Sequence, residues 1–294
     1  MSNPVIFDRM LLRTRRARAA ALGPATFLVD RVAEDLAGRL SAVLRSFEIA
    51  ADVGTPTDAV HRALAGRVGT IFAVDALLHR DSAFAVIADE ETLPFRDGSL
   101  DLIVSALALQ FVNDLPGTLV QIRRSLKPDG LFLAAMIGGD SLAELRAAFA
   151  QAESEVEGGV SPRVAPFADL RDIGALLQRA GFALPVTDID RVTVRYSSPL
   201  ALMHDLRRMG ATSALTERRR KPLRRATLRR LFDIYAERFA DPDGRIRATF
   251  EIVWLSGWAP HDSQQKPLQP GSAKTRLADA LRTTEISTGE KAGS

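Results

Sequence analysis

The sequence predicts an α/β protein built on a doubly wound, mostly parallel sheet. Two observations carry that reading: short runs that are apolar on consecutive positions, and helical or turn-rich stretches alternating with them. The runs lie at 49–53, 71–74, 83–88, 100–107 and 131–137. Consecutive rather than alternating apolar residues mark strands buried on both faces, as in a parallel sheet covered by helices. The stretches between them, 57–65, 114–126 and 141–155, supply the crossovers.

Ahead of the first strand, residues 1–44 read as a basic helical arm. Phe7, Met10 and Leu11 recur at helical spacing with Arg9, Arg13 and Arg16 between them. A stronger helix follows, because Leu28, Val32, Leu36, Leu40, Val43 and Phe47 share one stripe. The central domain spans 45–259. Within it, Leu126-Lys127-Pro128-Asp129-Gly130 stops a helix and turns into a strand: Pro128 cannot continue the helix and Gly130 permits positive φ. A loop at 158–167 precedes a helix over 169–180, and strands follow at 192–196 and 250–255. Between those strands a helical insertion near 199–240 holds two helices, the second entered at Pro222 with Leu228, Leu231, Phe232, Tyr235 and Phe239 as its stripe. From Pro260 onward Pro, Gln, Ser, Thr, Gly and Lys dominate, so 260–294 reads as a disordered tail.

The sequence contains no cysteine, which excludes disulfides, thiolate metal sites and cysteine nucleophiles. No segment reaches the roughly 20 apolar residues of a membrane span. The basic start has no apolar core behind it, so it does not read as a secretory signal, and the reading is a cytoplasmic protein. A net charge of +3 is too small to imply nucleic acid by itself.

A nucleotide-type cofactor on such a sheet sits at the carboxyl ends of the strands. Acids stand at three of those ends: Asp52 in Ala50-Ala51-Asp52-Val53-Gly54, Asp75 after the second strand, and Asp89 with Glu90 after the third. An acid after the second strand can accept from both ribose hydroxyls, and one after the third can accept from an adenine amine. Each alone is a common solvated terminus; the three in this order point to a pocket. His79-Arg80-Asp81 has the spacing of part of an iron site, but no third ligand can be placed and a solvated loop is the reading. No Ser/His/Asp set carries a nucleophile-elbow motif.

Ile87-Ala88-Asp89-Glu90-Glu91-Thr92-Leu93-Pro94-Phe95, Ser99-Leu100-Asp101-Leu102-Ile103-Val104-Ser105 and Leu126-Lys127-Pro128-Asp129-Gly130-Leu131-Phe132 resemble the class I S-adenosylmethionine (SAM)-dependent methyltransferases over residues 40–140. Two further stretches are similar to a narrower branch. They are Val5-Ile6-Phe7-Asp8-Arg9 with the Arg-rich helix, and Ser105-Ala106-Leu107-Ala108-Leu109-Gln110-Phe111-Val112-Asn113-Asp114-Leu115-Pro116-Gly117. That branch is the methyltransferase-type assembly factors of respiratory complex I and their alphaproteobacterial relatives, itself similar to the malonyl-carrier-protein methyltransferases of biotin synthesis. The likeness extends to 250–257 and to Gly271-Ser272-Ala273-Lys274.

The resemblance implies a Rossmann-like fold with SAM as cofactor. Asp52 and Gly54 would belong to the first motif, Asp75 to the ribose contact, and Asp89 with Glu90 to the adenine contact. Ser105, at the mouth of the fourth strand, is grouped with the cofactor residues and Gln110 with the substrate. It also implies an enzyme of SAM-dependent methyltransferase type acting on a protein substrate, a complex I subunit, since the mitochondrial member hydroxylates an arginine there. The alternatives are a noncatalytic or hydroxylating assembly factor and a malonyl-carrier-protein O-methyltransferase. No residue stands out as a general base. The family turn Asp-x-Gly-x-Gly-x-Gly here reads Asp52-Val53-Gly54-Thr55-Pro56-Thr57-Asp58, so two glycines are lost, Pro56 removes a donor N–H, and weakened cofactor affinity is expected. Ala106 stands where relatives often carry Asn.

Arg218-Arg219-Arg220-Lys221-Pro222-Leu223-Arg224-Arg225, followed by Arg229 and Arg230, sets cations at a helix N-terminus, against its dipole. Arg224 and Arg225 are the candidate contacts to an acidic protein surface, with a solvated face as the alternative. No aromatic platform is interleaved with them, so nucleic acid is not expected.

Overall fold

The computed structural model describes residues 5–77, 84–167, 170–265, 272 and 275–284. Two helices come first, α1 (Arg9–Ala21) and α2 (Phe27–Ser41). They are followed by β1 (Phe47–Val53), α3 (Ala59–Ala63), β2 (Val68–Asp75), β3 (Ala85–Ile87) and β4 (Leu100–Ala106). Next come α4 (Leu115–Ser125), β5 (Leu126–Ile137), α5 (Ala143–Glu157), α6 (Leu170–Arg179) and β6 (Ala183–Tyr196). The insertion contributes α7 (Pro199–Arg208) and α8 (Arg225–Phe239), and β7 (Ile246–Trp258) closes the sheet.

The seven strands stand in the order β3-β2-β1-β4-β5-β7-β6. All run parallel except β7, which is antiparallel to both β5 and β6. The continuous apolar runs are explained by what lies on each face. Leu102, Val104, Leu131, Leu133 and Ala135 point to the side covered by α2, α5, α7 and α8. Ile103, Phe132, Ala134 and Met136 point to the side covered by α4 and α6. Because the strand period is two, a residue wetted on either face would break one of these cores.

Several boundaries differ from the sequence reading. The α2 helix stops at Ser41, and Phe47 belongs to β1 rather than to the helical stripe. In α1 the buried residues are Leu12 and Ala19, whereas Met10 is exposed; Phe7 precedes the helix and bridges to Leu215. The α8 helix begins at Arg225, so Pro222 lies outside it. Near the start of β5, which follows α4 directly, the positive φ falls on Asp129, at 61°, and not on Gly130. Gly130 serves another need: a Cβ there would stand 2.9 Å from the Lys127 carbonyl oxygen.

The arm is anchored by its own small core of Phe7, Leu12, Phe111, Ala165, Ala214 and Leu215. Asp8 caps α1 by accepting from the Leu11 N–H at 2.9 Å. Asn113 accepts from the Ile6 and Phe7 N–H groups at 2.9 and 2.8 Å. Residues 1–260 form one compact unit and 261–294 a second. The second contains the short helix α9 (Leu277–Leu281), and most of the tail read as disordered lies outside the described residues. So do His79, Arg80 and Asp81, and three of the four residues in Gly271-Ser272-Ala273-Lys274. Among the described residues, no helix is long and apolar enough to cross a membrane.

Candidate functional site

The strand order reverses between β1 and β4, and the crevice beyond their carboxyl ends is the expected ligand site. A cavity opens there. One side is walled by Pro56 and Thr57 after β1, Asp75 and Leu77 after β2, and Leu107 and Gln110 after β4. The rest of the wall includes Arg16, Ala19 and Ala20 of α1, Leu28 and Val29 of α2, Leu206 and Arg208 of α7, and Met209, Gly210 and Ala211 directly after it. Strand ends therefore supply the floor, and the arm and insertion supply the roof.

The turn after β1 is cross-braced. Asp52 is fully buried, and its carboxylate accepts from the Thr55 hydroxyl and faces His61 Nε2 at 3.6 Å. Thr55 Oγ1 also accepts from the Ala106 N–H at 3.0 Å, tying the turn to the end of β4. Ser105 is fully buried and donates to the Val53 carbonyl at 2.7 Å, so its hydroxyl braces β4 to β1 beneath the cavity. Gly54 has φ 73°, and its N–H donates to the Val74 carbonyl at 2.7 Å. Asp75 stands in the cavity wall, oriented by the Leu77 N–H, which donates to Oδ1 at 2.9 Å.

Asp89 and Glu90 hold partners the sequence reading did not assign. Arg9, Arg13 and Arg16 repeat at one helical face of α1 and meet this acid pair. Arg9 donates to Asp89 at 2.8 Å and also to Glu90; Arg13 donates to Asp89; Arg16 donates to Glu90 at 3.1 Å. Burial alone would push the Asp89 carboxyl up, but the Glu91 N–H and the Arg9 and Arg13 guanidiniums outweigh it and hold it below the ordinary carboxylate value. Burial likewise opposes the charge on Arg9, and Glu90 and Asp89 overcome it and raise Arg9. The spacing of three and four between the arginines was the available signal. Their partners, 74 to 81 residues away, were not visible to it.

Gln110 lines the cavity, and its Nε2 donates to the Leu107 carbonyl at 2.7 Å. Arg224 and Arg225 lie outside the cavity wall, exposed at the start of α8, which has no acid in its first turn. The basic run divides in two. Arg218 pairs with Asp8, Arg219 with Glu157, and Arg230 with Glu155. Arg220, Lys221, Arg224, Arg225 and Arg229 are exposed.

Comparison with known proteins agrees with this architecture. Residues 51–134 match the model of a methyltransferase domain family. The chain is 38% identical to "Arginine-hydroxylase NDUFAF5, mitochondrial" of Danio rerio, over 96% of this chain and 91% of that one. The Homo sapiens protein of the same name is 39% identical, over 93% and 83%. The "Malonyl-[acyl-carrier protein] O-methyltransferase" of Halorhodospira halophila is 33% identical, over 90% and 92%. Among solved structures, a protein from Bacillus halodurans C-125 assigned to the methyltransferases superposes with a TM-score of 0.53 at 18% identity, over 77% of this chain and 99% of that one. The [4+2]-cyclase SpnF superposes with a TM-score of 0.51 at 16% identity, over 86% and 94%. Those two likenesses speak to the fold alone.

S-adenosylmethionine is the cofactor of such a domain; Asp75 and Arg16 stand in the cavity wall, whereas Asp52, Gly54, Asp89, Glu90 and Ser105 do not. Whole-length relatives, strand order and cleft agree: the chain belongs to the class I SAM-dependent methyltransferase family, in the group that contains the mitochondrial arginine-hydroxylase NDUFAF5 and the malonyl-[acyl-carrier protein] O-methyltransferases.

Proposed function

We propose that the protein is an enzyme of SAM-dependent methyltransferase type that modifies a protein substrate, a subunit of respiratory complex I, during assembly of that complex, and that it works in the cytoplasm. One observation carries the reading. The roof of the cavity is built by α1, α2 and the end of α7, all outside the matched domain at 51–134, and the likeness to the NDUFAF5 proteins runs through those segments as well.

SAM, when bound, supplies an electrophilic methyl group. The chain's own part is to position and to exclude water. With SAM bound, Gly54 would allow close approach, Asp75 would hold the ribose and Asp89 would accept from the adenine amine, while Asp52 braces the turn and Ser105 ties β4 to β1. Gln110 and the roof face the incoming side chain. For an in-line displacement, positioning and desolvation supply most of the acceleration. The acidic face of the client docks at Arg224 and Arg225.

A second reading has its own observation. Arg16 and Arg208 both line the cavity, and two guanidiniums suit the carboxylate of a malonyl carrier protein. Deletion of the gene separates the two. The expected result is loss of assembled NADH:quinone oxidoreductase with normal growth without biotin. Mass spectrometry of arginines in the complex should show a lost methyl increment, or a lost oxygen increment if the chemistry is hydroxylation. Normal complex I together with biotin auxotrophy would overturn the reading in favour of the carrier-protein substrate.

A further inference from the structure

We propose that the Glu90 carboxylate is an internal occupant of the cofactor site, a tethered anion that the amino-acid carboxylate of the cofactor displaces from Arg16. The proposal rests on the SAM reading above and concerns what the chain does before the cofactor arrives.

The first observation is steric. Glycine at a strand-to-helix turn of this kind lets a ligand approach the backbone. Gly54 is the one glycine retained from the family turn, and the space above it is already taken. A Cβ on Gly54 would stand 2.7 Å from both Cγ and Oε1 of Glu90, and 2.9 Å from the Ala108 Cβ. The wall of the cavity runs through Pro56, Thr57 and Asp75 but not through Gly54, Asp89 or Glu90. Gly54 thus lies beyond the wall of the open space, covered by the Glu90 side chain and Ala108.

The second observation is electrostatic. Glu90 is 1% exposed, and a carboxylate at that depth is costly without cationic partners. Two are present: Arg9 on one side, and Arg16, whose guanidinium donates to Oε1 at 3.1 Å. The arm that brings them is fixed by the Phe7–Leu215 bridge and the Asn113 hydrogen bonds. The carboxylate therefore has a built seat over Gly54.

Arg16 joins the seat to the cavity, because it holds Glu90 and also lines the open space. The cofactor brings a carboxylate of its own. The turn meant to receive it has Pro56 without an N–H and Asp58 with a like charge. Exchanging Glu90 for the ligand carboxylate keeps Arg16 paired and frees the surface of Gly54, while Arg9 remains to hold Glu90. Asp89 is not displaced. A carboxylate offers about four acceptor sites, and the Glu91 N–H, Arg9 and Arg13 account for three, leaving room for an adenine amine.

The test is the sign of a binding change. Titration calorimetry with S-adenosylhomocysteine is run on the full chain as wild type, Glu90→Gln, Glu90→Ala and Arg16→Gln, with thermal unfolding recorded for each without ligand. If the blocked form holds about 90% of the population, removing the block tightens apparent affinity about tenfold. The expected result is tighter binding in both Glu90 variants and weaker binding in Arg16→Gln. Glu90→Gln keeps the side-chain shape but loses the charge that holds it on Arg16, so the test of the tether stands if Glu90→Ala does not fold. A wild type that binds, with Glu90 variants that fold and bind equally or more weakly, overturns the proposal, and weaker binding would make Glu90 a cofactor ligand. No heat from the wild type or any variant at millimolar ligand overturns the SAM reading itself, and this proposal with it.

Discussion

Thr55 replaces a glycine of the family turn, and its hydroxyl makes two buried bonds there, to Asp52 and from the Ala106 N–H. Thr55→Gly is therefore expected to lower stability by about 1–3 kcal/mol, because it leaves a buried N–H and a buried carboxylate short of a partner. Urea unfolding reads this, and an unchanged midpoint would remove the bracing role. Asp75 behaves differently, since it faces the cavity: Asp75→Ala should weaken S-adenosylhomocysteine binding by about 1–3 kcal/mol with unfolding unaltered. Asp89 links the site to stability through pH. Its folded pKa lies below the ordinary value, so its contribution is present above the unfolded pKa of about 3.9 and is lost as pH falls through the folded value. Thermal midpoints of the wild type should then fall more steeply on acidification below about pH 4 than those of Asp89→Asn; parallel curves would show that the arm pairing contributes nothing. The acids at strand ends were legible because chain order and residue type suffice to place them. The arginines that hold Asp89 and Glu90 were not, because pairing across 74 to 81 residues is set by how α1 packs.

The elements show the same division. The central strands could be read from consecutive apolar residues, because both of their faces are covered. By contrast the sequence pattern marks β6, over Ala183–Tyr196, only at 192–196. It is the outer strand of the sheet, and Asp188, Asp190 and Arg191 interrupt its apolar pattern. Arg39 and Arg31 of α2 pair with those two aspartates, a contact only the folded chain creates. For α8 the sequence pattern places the start three residues early: Arg224 is the N-cap and Arg225 the first helical residue. Neither is buried. Replacing both by Glu should raise stability by about 0.3–1 kcal/mol per site, since anions suit that end of a helix. The same double variant should weaken association with an acidic client and flatten its salt dependence. Thermal unfolding and a binding titration across salt concentrations check the two halves. Tighter folding with unchanged association would leave the exposed arginines as a solvated face.

For the molecule entire, the question is how far the chain must run for the sheet to close. The β7 strand lies between β5 and β6 and is antiparallel to both, so neither neighbour can pair with the other without it. It also carries Phe250, Ile252 and Trp254 into one core and Val253 and Leu255 into the other. Directly after it, Ala259 donates to the Gly130 carbonyl at 2.8 Å and accepts from the Asp129 N–H at 3.1 Å, extending the pairing toward the start of β5. Every backbone bond that completes the sheet is thus made by residue 259, in agreement with a compact unit ending at Pro260. A chain stopped after Pro260 is expected to unfold cooperatively at the midpoint of the full chain and to bind S-adenosylhomocysteine with the same affinity. A chain stopped after Gly244 lacks β7, strips the central β5 edge and opens both cores, so no cooperative transition is expected from it. Thermal unfolding of the two truncations, with calorimetry on the longer one, decides the matter. A shifted midpoint in the 260-residue chain would show that residues 261–294 contribute to the folded domain, and a lost binding heat alone would show that they contribute to the site.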